Sequence, residues 1–217
     1  MPGAPRLHDR VHRCEEHEVP HLDRRAVFVD PTASDGILIK GTEDPCECGI
    51  IGAGMASGKR KVYSLRDRSL VARPRDWADV VVNLAMEIDA QTIVAEGNNG
   101  GDMVREVVEA SWLRLRAKYE GRRKPSVELV TAHRNKTERA SFAAPAWEAG
   151  KVVHVGPSRR WLAAEGQMTS YDPNRPHAKQ PTDRMDAAAW QVLWFLGDGT
   201  DRTRVQALTD AEGMARV

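Results

Sequence analysis

Twice in this chain an apolar run of strand character ends on an acid: Ala26-Val-Phe-Val-Asp30 and Thr92-Ile-Val-Ala-Glu96. Apolar residues at successive positions suit a strand buried on both faces, so each run predicts an interior strand of a covered sheet. If the two strands are parallel neighbours, both carboxylates leave the sheet at the same edge, where function in α/β sheets usually sits. A third acidic feature comes late, where Asp183 and Asp186 open the helix Pro181-Thr-Asp-Arg-Met-Asp-Ala-Ala-Ala-Trp190.

The rest of the pattern supports such a sheet. Gly49-Ile-Ile-Gly-Ala53 and Lys61-Val-Tyr-Ser-Leu65 read as two further strands, completing a three-strand antiparallel meander with Ala26–Val29 after a polar insertion over Thr32–Glu47. Pro74 opens a covering helix whose stripe is Trp77, Val80, Val81, Leu84 and Ile88. Val104, Val107, Val108 and Leu115 predict a second helix, and Val127–Val130 a fifth strand. A helix over Lys136–Ala149, an extended Val152–Val155, a helix over Ser158–Gln167 and a closing helix through Leu196 complete the order. The fold class is therefore α/β, a mixed central sheet of meander plus parallel strands, flanked by helices. Trp190 and Trp194, four apart on the closing helix, are core residues.

With 217 residues, 41% of them hydrophobic, the chain can bury one such core. The expected organisation is an arm over 1–25, one domain over 26–197 and a tail over 198–217, since both ends are polar and weakly patterned. Thirty-two basic against 31 acidic side chains leave a net charge of +1, so any nucleic-acid surface must be local. Three cysteines, no secretory signal and no membrane span predict a soluble, intracellular, disulfide-free protein. His8, His12, Cys14, His17 and His21 crowd the arm but match no closed zinc site, and Cys46 and Cys48 stand too close together for the usual ligand pair.

Asp183 and Asp186 are three apart, so both project to one side of their helix, and the alanines behind them allow close approach to the sheet. Clustered with Asp30 and Glu96, they would form a set of like charges that cannot all ionise without a counter-cation. Hard oxygen ligands suit Mg²⁺ or Mn²⁺, and two ions about 4 Å apart can activate a water and stabilise the leaving oxygen of a phosphodiester. No histidine lies within the acidic motifs, so metal rather than imidazole would generate the nucleophile.

Taken together, Val29-Asp-Pro31, Ile93-Val-Ala-Glu96-Gly-Asn-Asn-Gly-Gly-Asp-Met-Val104, His133-Arg-Asn-Lys-Thr-Glu-Arg-Ala140, Gly150-Lys-Val-Val-His-Val-Gly156 and Asp183-Arg-Met-Asp-Ala187 resemble the C-terminal nuclease domain of the phage terminase large subunit. The resemblance runs from about Val27 to Leu196. It implies an RNase H-like fold and a two-metal-ion endonuclease that cuts concatemeric double-stranded viral DNA during packaging. It further implies Asp30, Glu96 and Asp183 as ligands of Mg²⁺ or Mn²⁺, with Asp186 as a fourth or substitute ligand. The implied partners are DNA, a terminase ATPase domain, the small terminase subunit and the portal protein, in the host cytoplasm at the procapsid portal. Near the cleft, Lys136, Arg139 and Arg134 are expected to touch the DNA backbone, as is Asn98 at a strand-to-helix turn; Arg122-Arg-Lys124 reads as an exposed loop. The family's ATPase motor is not expected here: Gly54-Met-Ala-Ser-Gly58-Lys59 is one residue short of a phosphate loop and reads as a hairpin turn. Rival readings are a junction-resolving nuclease of the same fold and a docking module without activity.

Overall fold

Among the described residues seven strands, β1 (His12–Cys14), β2 (Arg24–Asp30), β3 (Gly49–Ala56), β4 (Lys61–Asp67), β5 (Thr92–Glu96), β6 (Ser126–Val130) and β7 (Val152–Val155), make one mixed sheet. Its order is β1-β7-β4-β3-β2-β5-β6. The meander β2–β3–β4 is antiparallel, and the remaining neighbours are parallel. The structure is a computed structural model that describes residues 11–31, 47–56, 58, 60–97, 101–172, 174–175 and 180–197. Most of the insertion between β2 and β3, together with Cys46, lies outside these residues.

Among the described residues five α-helices cover the sheet: α1 (Pro74–Glu87), α2 (Gly101–Leu115), α3 (Lys136–Glu148), α4 (Leu162–Ser170) and α5 (Asp183–Leu196). Side chains alternate across a strand, so β2 divides its apolar residues between two cores. Val27 and Val29 join Ile93 and Ala95 of β5 under α1 and α2. Ala26 and Phe28 join Val94 under α5, where Phe28 meets Trp194 and Phe195 edge-on at 5.8 and 5.5 Å between ring centroids. Each such pair adds about 0.5–1.5 kcal/mol beyond the area it buries. Trp190 and Trp194 are core residues, as their spacing predicts. Among the described residues no helix is long and apolar enough to cross a membrane.

Two local features differ from the sequence expectation. His12–Cys14, placed in a structureless arm, pairs in parallel with Val153–Val155 and extends the sheet by one strand. Three residues, two of them exposed, have too little pattern to announce a strand, and it is the pairing with β7 that places them in the sheet. The helix expected over Ser158–Gln167 instead begins as a short 3-10 turn at Ser158–Arg160 and becomes α-helical from Leu162 to Ser170. The strand residues on either side of the expected turn fit a hairpin, with Gly54 pairing with Tyr63 and Ala56 with Lys61 across antiparallel strands; Ser57 and Lys59 lie outside the described residues.

A polar chain, buried at His154 and open to solvent at Arg13, ties β7 to α3, α4 and β1. The Trp147 Nε1 donates to His154 Nε2 at 3.1 Å, and His154 Nδ1 lies 2.7 Å from Glu165 Oε1, whose other oxygen accepts from Arg13 Nη2 at 2.7 Å. With Nε2 accepting, the imidazole is the neutral Nδ1–H tautomer. Burial holds its pKa below the usual value, against the pull of Glu165. The unfolded chain therefore takes up this proton first, and the contribution of His154 to stability is lost as pH falls below about 6.5. We expect His154→Gln to lower the thermal midpoint at pH 7, and the deficit relative to the native protein to shrink toward pH 5 in scanning calorimetry. A deficit that is constant over that range would contradict a neutral buried imidazole.

Candidate metal centre

Val29 of β2 lies opposite Ala95 of β5 in parallel register, so Asp30 and Glu96 follow side by side at the C-terminal end of both strands. Strand alternation carries their side chains to the α5 face, together with Phe28 and Val94. α5 arrives over that edge with Asp183 and Asp186 in its first turn. Asp30, Glu96 and Asp186 each offer a carboxylate oxygen within 4.8 Å of the others. Asp183, expected ahead of Asp186 as the third ligand, is outside that group. Its Oδ2 accepts from the backbone amide of Glu47 at 3.2 Å, and its Oδ1 lies 3.5 Å from Lys136 Nζ. One helical turn separates the two acids, and Asp186 is the one that reaches the interior, with no exposed surface.

The centre also contains two cations. Asn135 caps α3 by accepting from the Glu138 amide at 2.9 Å, while Glu138 accepts from the Asn135 amide at 3.2 Å. This cap fixes where the helix starts, and so it aims Lys136 and Arg139, three residues apart, along one side of its first turns. Lys136 Nζ donates to Asp30 Oδ2 at 2.6 Å and lies 3.6 Å from Asp186. Arg139 Nε donates to Asp186 Oδ1 at 2.9 Å, its Nη2 donates to both Asp186 Oδ2 and, at 3.0 Å, Glu96 Oε2, and its Nη1 reaches the Arg134 carbonyl at 2.7 Å. Arg139 is only 3% exposed and is stacked over Trp190, 5.2 Å from its ring centroid. Both side chains were expected on the DNA backbone, yet they lie among the acids. Arg134 is partly exposed, with its guanidinium over the Phe142 ring. Asn98 falls outside the described residues, and Arg122 forms a surface pair with Asp89.

Titration in the cluster follows from crowding. Burial pushes Asp30 up to about 8, with the charges of Asp186 and Asp183 adding to the rise and Lys136 opposing it. Asp183 is raised, again by burial first. Lys136 stays protonated: its own desolvation acts against the charge, but the three aspartates outweigh it. Between about pH 4 and 8 the unfolded chain has released the Asp30 proton while the folded chain keeps it. This group's contribution to stability therefore falls as pH rises through that window.

Three hard carboxylates with oxygens this close fit a small divalent cation, whose ligand oxygens stand about 2.0–2.1 Å from the ion for Mg²⁺. If all four acids are ionised, Lys136 and Arg139 offset only half of their charge. The donor chemistry suits Mg²⁺ or Mn²⁺ rather than a soft metal.

α5 is held over the sheet by residues that the sequence does not single out. Its N-cap residue Thr182 makes no side-chain cap, and the amides of Arg184 and Met185 instead donate to Gln167 Oε1 of α4, at 2.9 and 3.3 Å. Arg184 grips Glu47 through Nε and Nη2 at 2.8 and 2.7 Å and Asp67 through Nη1 at 2.8 Å. Glu47 in turn supplies the amide that binds Asp183. Beneath them, a Cβ on Gly49 would lie 2.1 Å from the Asp183 carbonyl oxygen, so only glycine lets the helix start rest on β3. Gly49→Ala is expected to displace that first turn at a cost of about 1–3 kcal/mol, read as a lowered denaturation midpoint. An unchanged midpoint would show that the helix start has room to spare.

No protein-family model and no curated protein matches the chain. Solved structures do. The nuclease domain of the large terminase subunit gp2 of bacterial virus Sf6 is 11% identical with a TM-score of 0.53, over 81% of this chain and 90% of that one. A point variant of the same domain with manganese and β-thujaplicinol is 11% identical with a TM-score of 0.54, over 78% and 87%. A variant of gp2c from bacteriophage Sf6 with calcium is 10% identical with a TM-score of 0.54, over 80% and 90%. At these identities the likeness speaks for architecture, and the chain has the fold of the nuclease domain of a phage large terminase subunit.

Proposed function

We propose that this protein is a divalent-metal-dependent endonuclease of the terminase type, cutting double-stranded viral DNA during genome packaging. The observation that carries this is the convergence of Asp30, Glu96 and Asp186 at one end of the sheet, on a fold that the solved terminase nuclease domains share. Asp30, Glu96 and Asp186 would hold Mg²⁺ or Mn²⁺, with Asp183 completing a site for a second ion. Bound there, the ions would lower the pKa of a water and neutralise charge on the phosphodiester.

The chain's own residues set the frame for that chemistry. Arg139 orients Asp186 and Glu96 toward one another and offsets charge that would otherwise hold the protein open. Lys136 carries a positive charge at Asp30 and Asp183, where a scissile phosphate would enter. β2 and β5 hold Asp30 and Glu96 on rigid strand ends, which favours a fixed ligand geometry over a mobile one. In a packaging machine the partners would be an ATPase motor, a small subunit and a portal, in the host cytoplasm; no ATP hydrolysis is proposed for this chain.

The test is nicking of supercoiled plasmid with Mn²⁺ or Mg²⁺. Asp30→Asn and Asp186→Asn should each lower the cutting rate roughly a thousandfold or more, because the bound ions contribute several kcal/mol of charge stabilisation. Glu16→Gln, far from the centre, should cut normally. Cutting by Asp30→Asn at the native rate would end the proposal. Because a metal ligand must lose its proton and Asp30 keeps its own until about pH 8, the Mn²⁺ concentration for half-maximal cutting should fall as pH rises from 6 toward 8. A requirement that is flat over that range would remove Asp30 from the ligand set.

A further inference from the structure

Arg184 lies in the first turn of α5, between Asp183 and Asp186, yet its side chain turns away from the metal centre. Its Nε and Nη2 donate to the two oxygens of the Glu47 carboxylate at 2.8 and 2.7 Å, Nη2 donates also to the Ser69 carbonyl at 3.2 Å, and Nη1 donates to Asp67 Oδ2 at 2.8 Å. Those bonds use all but one of the N–H donors of a guanidinium. The planar fork meets both Glu47 oxygens at once, a geometry that an ammonium cannot reproduce. Glu47 is held from a second direction, because its Oε2 also accepts from Gln167 Nε2 at 3.0 Å, while Gln167 Oε1 accepts from the Arg184 amide at 2.9 Å. A ring of hydrogen bonds thus closes from the Arg184 side chain through Glu47 and Gln167 back to the Arg184 main chain. Its two charged members are largely shielded, with the Arg184 and Glu47 side chains 15% and 19% exposed.

What the ring fixes is one main-chain amide. Glu47 N donates to Asp183 Oδ2 at 3.2 Å, which leaves Oδ1 as the oxygen on the side of Lys136, 3.5 Å from its Nζ. Asp186 is held differently, since Arg139 engages both of its oxygens from inside the core. The two acids of α5 therefore lean on different arginines, Asp186 directly on Arg139 and Asp183 on Arg184 by way of Glu47. A side chain that merely seated α5 would affect both acids alike, whereas separate anchors allow one to be loosened without the other. Hydrogen bonds behind a metal ligand set its orientation, and a carboxylate whose rotamer is already fixed loses less freedom when it takes up an ion. We propose that Arg184, acting through Glu47, is the positioning residue for Asp183 and thereby sets the affinity of the second ion site. This rests on the nuclease reading above and gives its two ions separate anchors.

The experiment titrates Mn²⁺ into the full chain without DNA, by calorimetry, so that each ion is read apart from cutting. Asp183→Asn identifies the ion that Asp183 serves, as the one whose affinity it lowers. Arg184→Lys keeps a positive charge between Glu47 and Asp67 but lacks the fork, so the chain still folds and the positioning alone is tested. It should weaken that same ion roughly tenfold, the lower end for loss of a group behind a metal ligand, and leave the other ion at its native affinity. Glu47→Gln keeps the main-chain amide but slackens its side-chain anchor, and should weaken the same ion in the same direction. Because Arg184 acts through Asp183, adding Arg184→Lys to Asp183→Asn should cost that ion nothing more. In the plasmid assay the Mn²⁺ concentration for half-maximal cutting should rise in Arg184→Lys, and saturating Mn²⁺ should restore the native rate. Equal loss at both ions in Arg184→Lys, loss at neither, or effects that add in full with Asp183→Asn would overturn the assignment, as would an Asp183→Asn protein that binds both ions normally. If the native protein neither binds Mn²⁺ nor cuts duplex DNA, the nuclease proposal itself falls; if it does both and Arg184→Lys does not separate the two ions, only the positioning role falls.

Discussion

Four carboxylates can crowd one end of this sheet only because two cations are built in beside them. Arg139 binds Asp186 and Glu96 at once, and Lys136 reaches Asp30, Asp183 and Asp186. Removing one partner from such an interior set would leave an uncompensated charge, which is far costlier than losing a surface pair. The capping box at Asn135 and Glu138 fixes the first turn of α3, and with it the two cations. A routine helix start therefore becomes part of the carboxylate cluster.

Much of this was legible in the residues. Two apolar runs ending in acids specify interior strands, and parallel pairing of those strands puts Asp30 and Glu96 on one edge and one face. The helical stripes placed α1, α2 and α5, and Gly54 and Ala56 pair across the antiparallel strands of the hairpin that the spacing suggested. The rank of Asp183 and Asp186 was not legible, because it depends on how α5 is rotated and how far it slides over β3, and neither is a local property. That Lys136 and Arg139 would contact the acids was not legible for a related reason. Cations at a helix start look alike whether solvent or carboxylates face them, and only the packing of α3 on α5 decides. One clue was available: the three-residue spacing of Lys136 and Arg139 mirrors that of Asp183 and Asp186.

The supports behind the centre are arranged in layers of diminishing visibility. Gly49 sits in a strand that reads clearly, yet its lack of a side chain matters only because another backbone rests on it. Arg184 stands between two acids in sequence, but it points to Glu47 and Asp67, residues brought in by β3 and β4. These are long-range choices, and a single sequence contains their components without their pairing.

The start of α5 draws its amide acceptor from Gln167, 17 positions upstream on another helix, rather than from a residue of its own first turn. An isolated α5 peptide would lack that acceptor, and its acids would have no sheet edge to face. The arrangement of the acids is therefore a property of the finished tertiary structure alone. By mass action, a divalent ion bound to this arrangement would draw the chain toward its native form, so an ion held there would couple the packing of α5 on the sheet to its own occupancy.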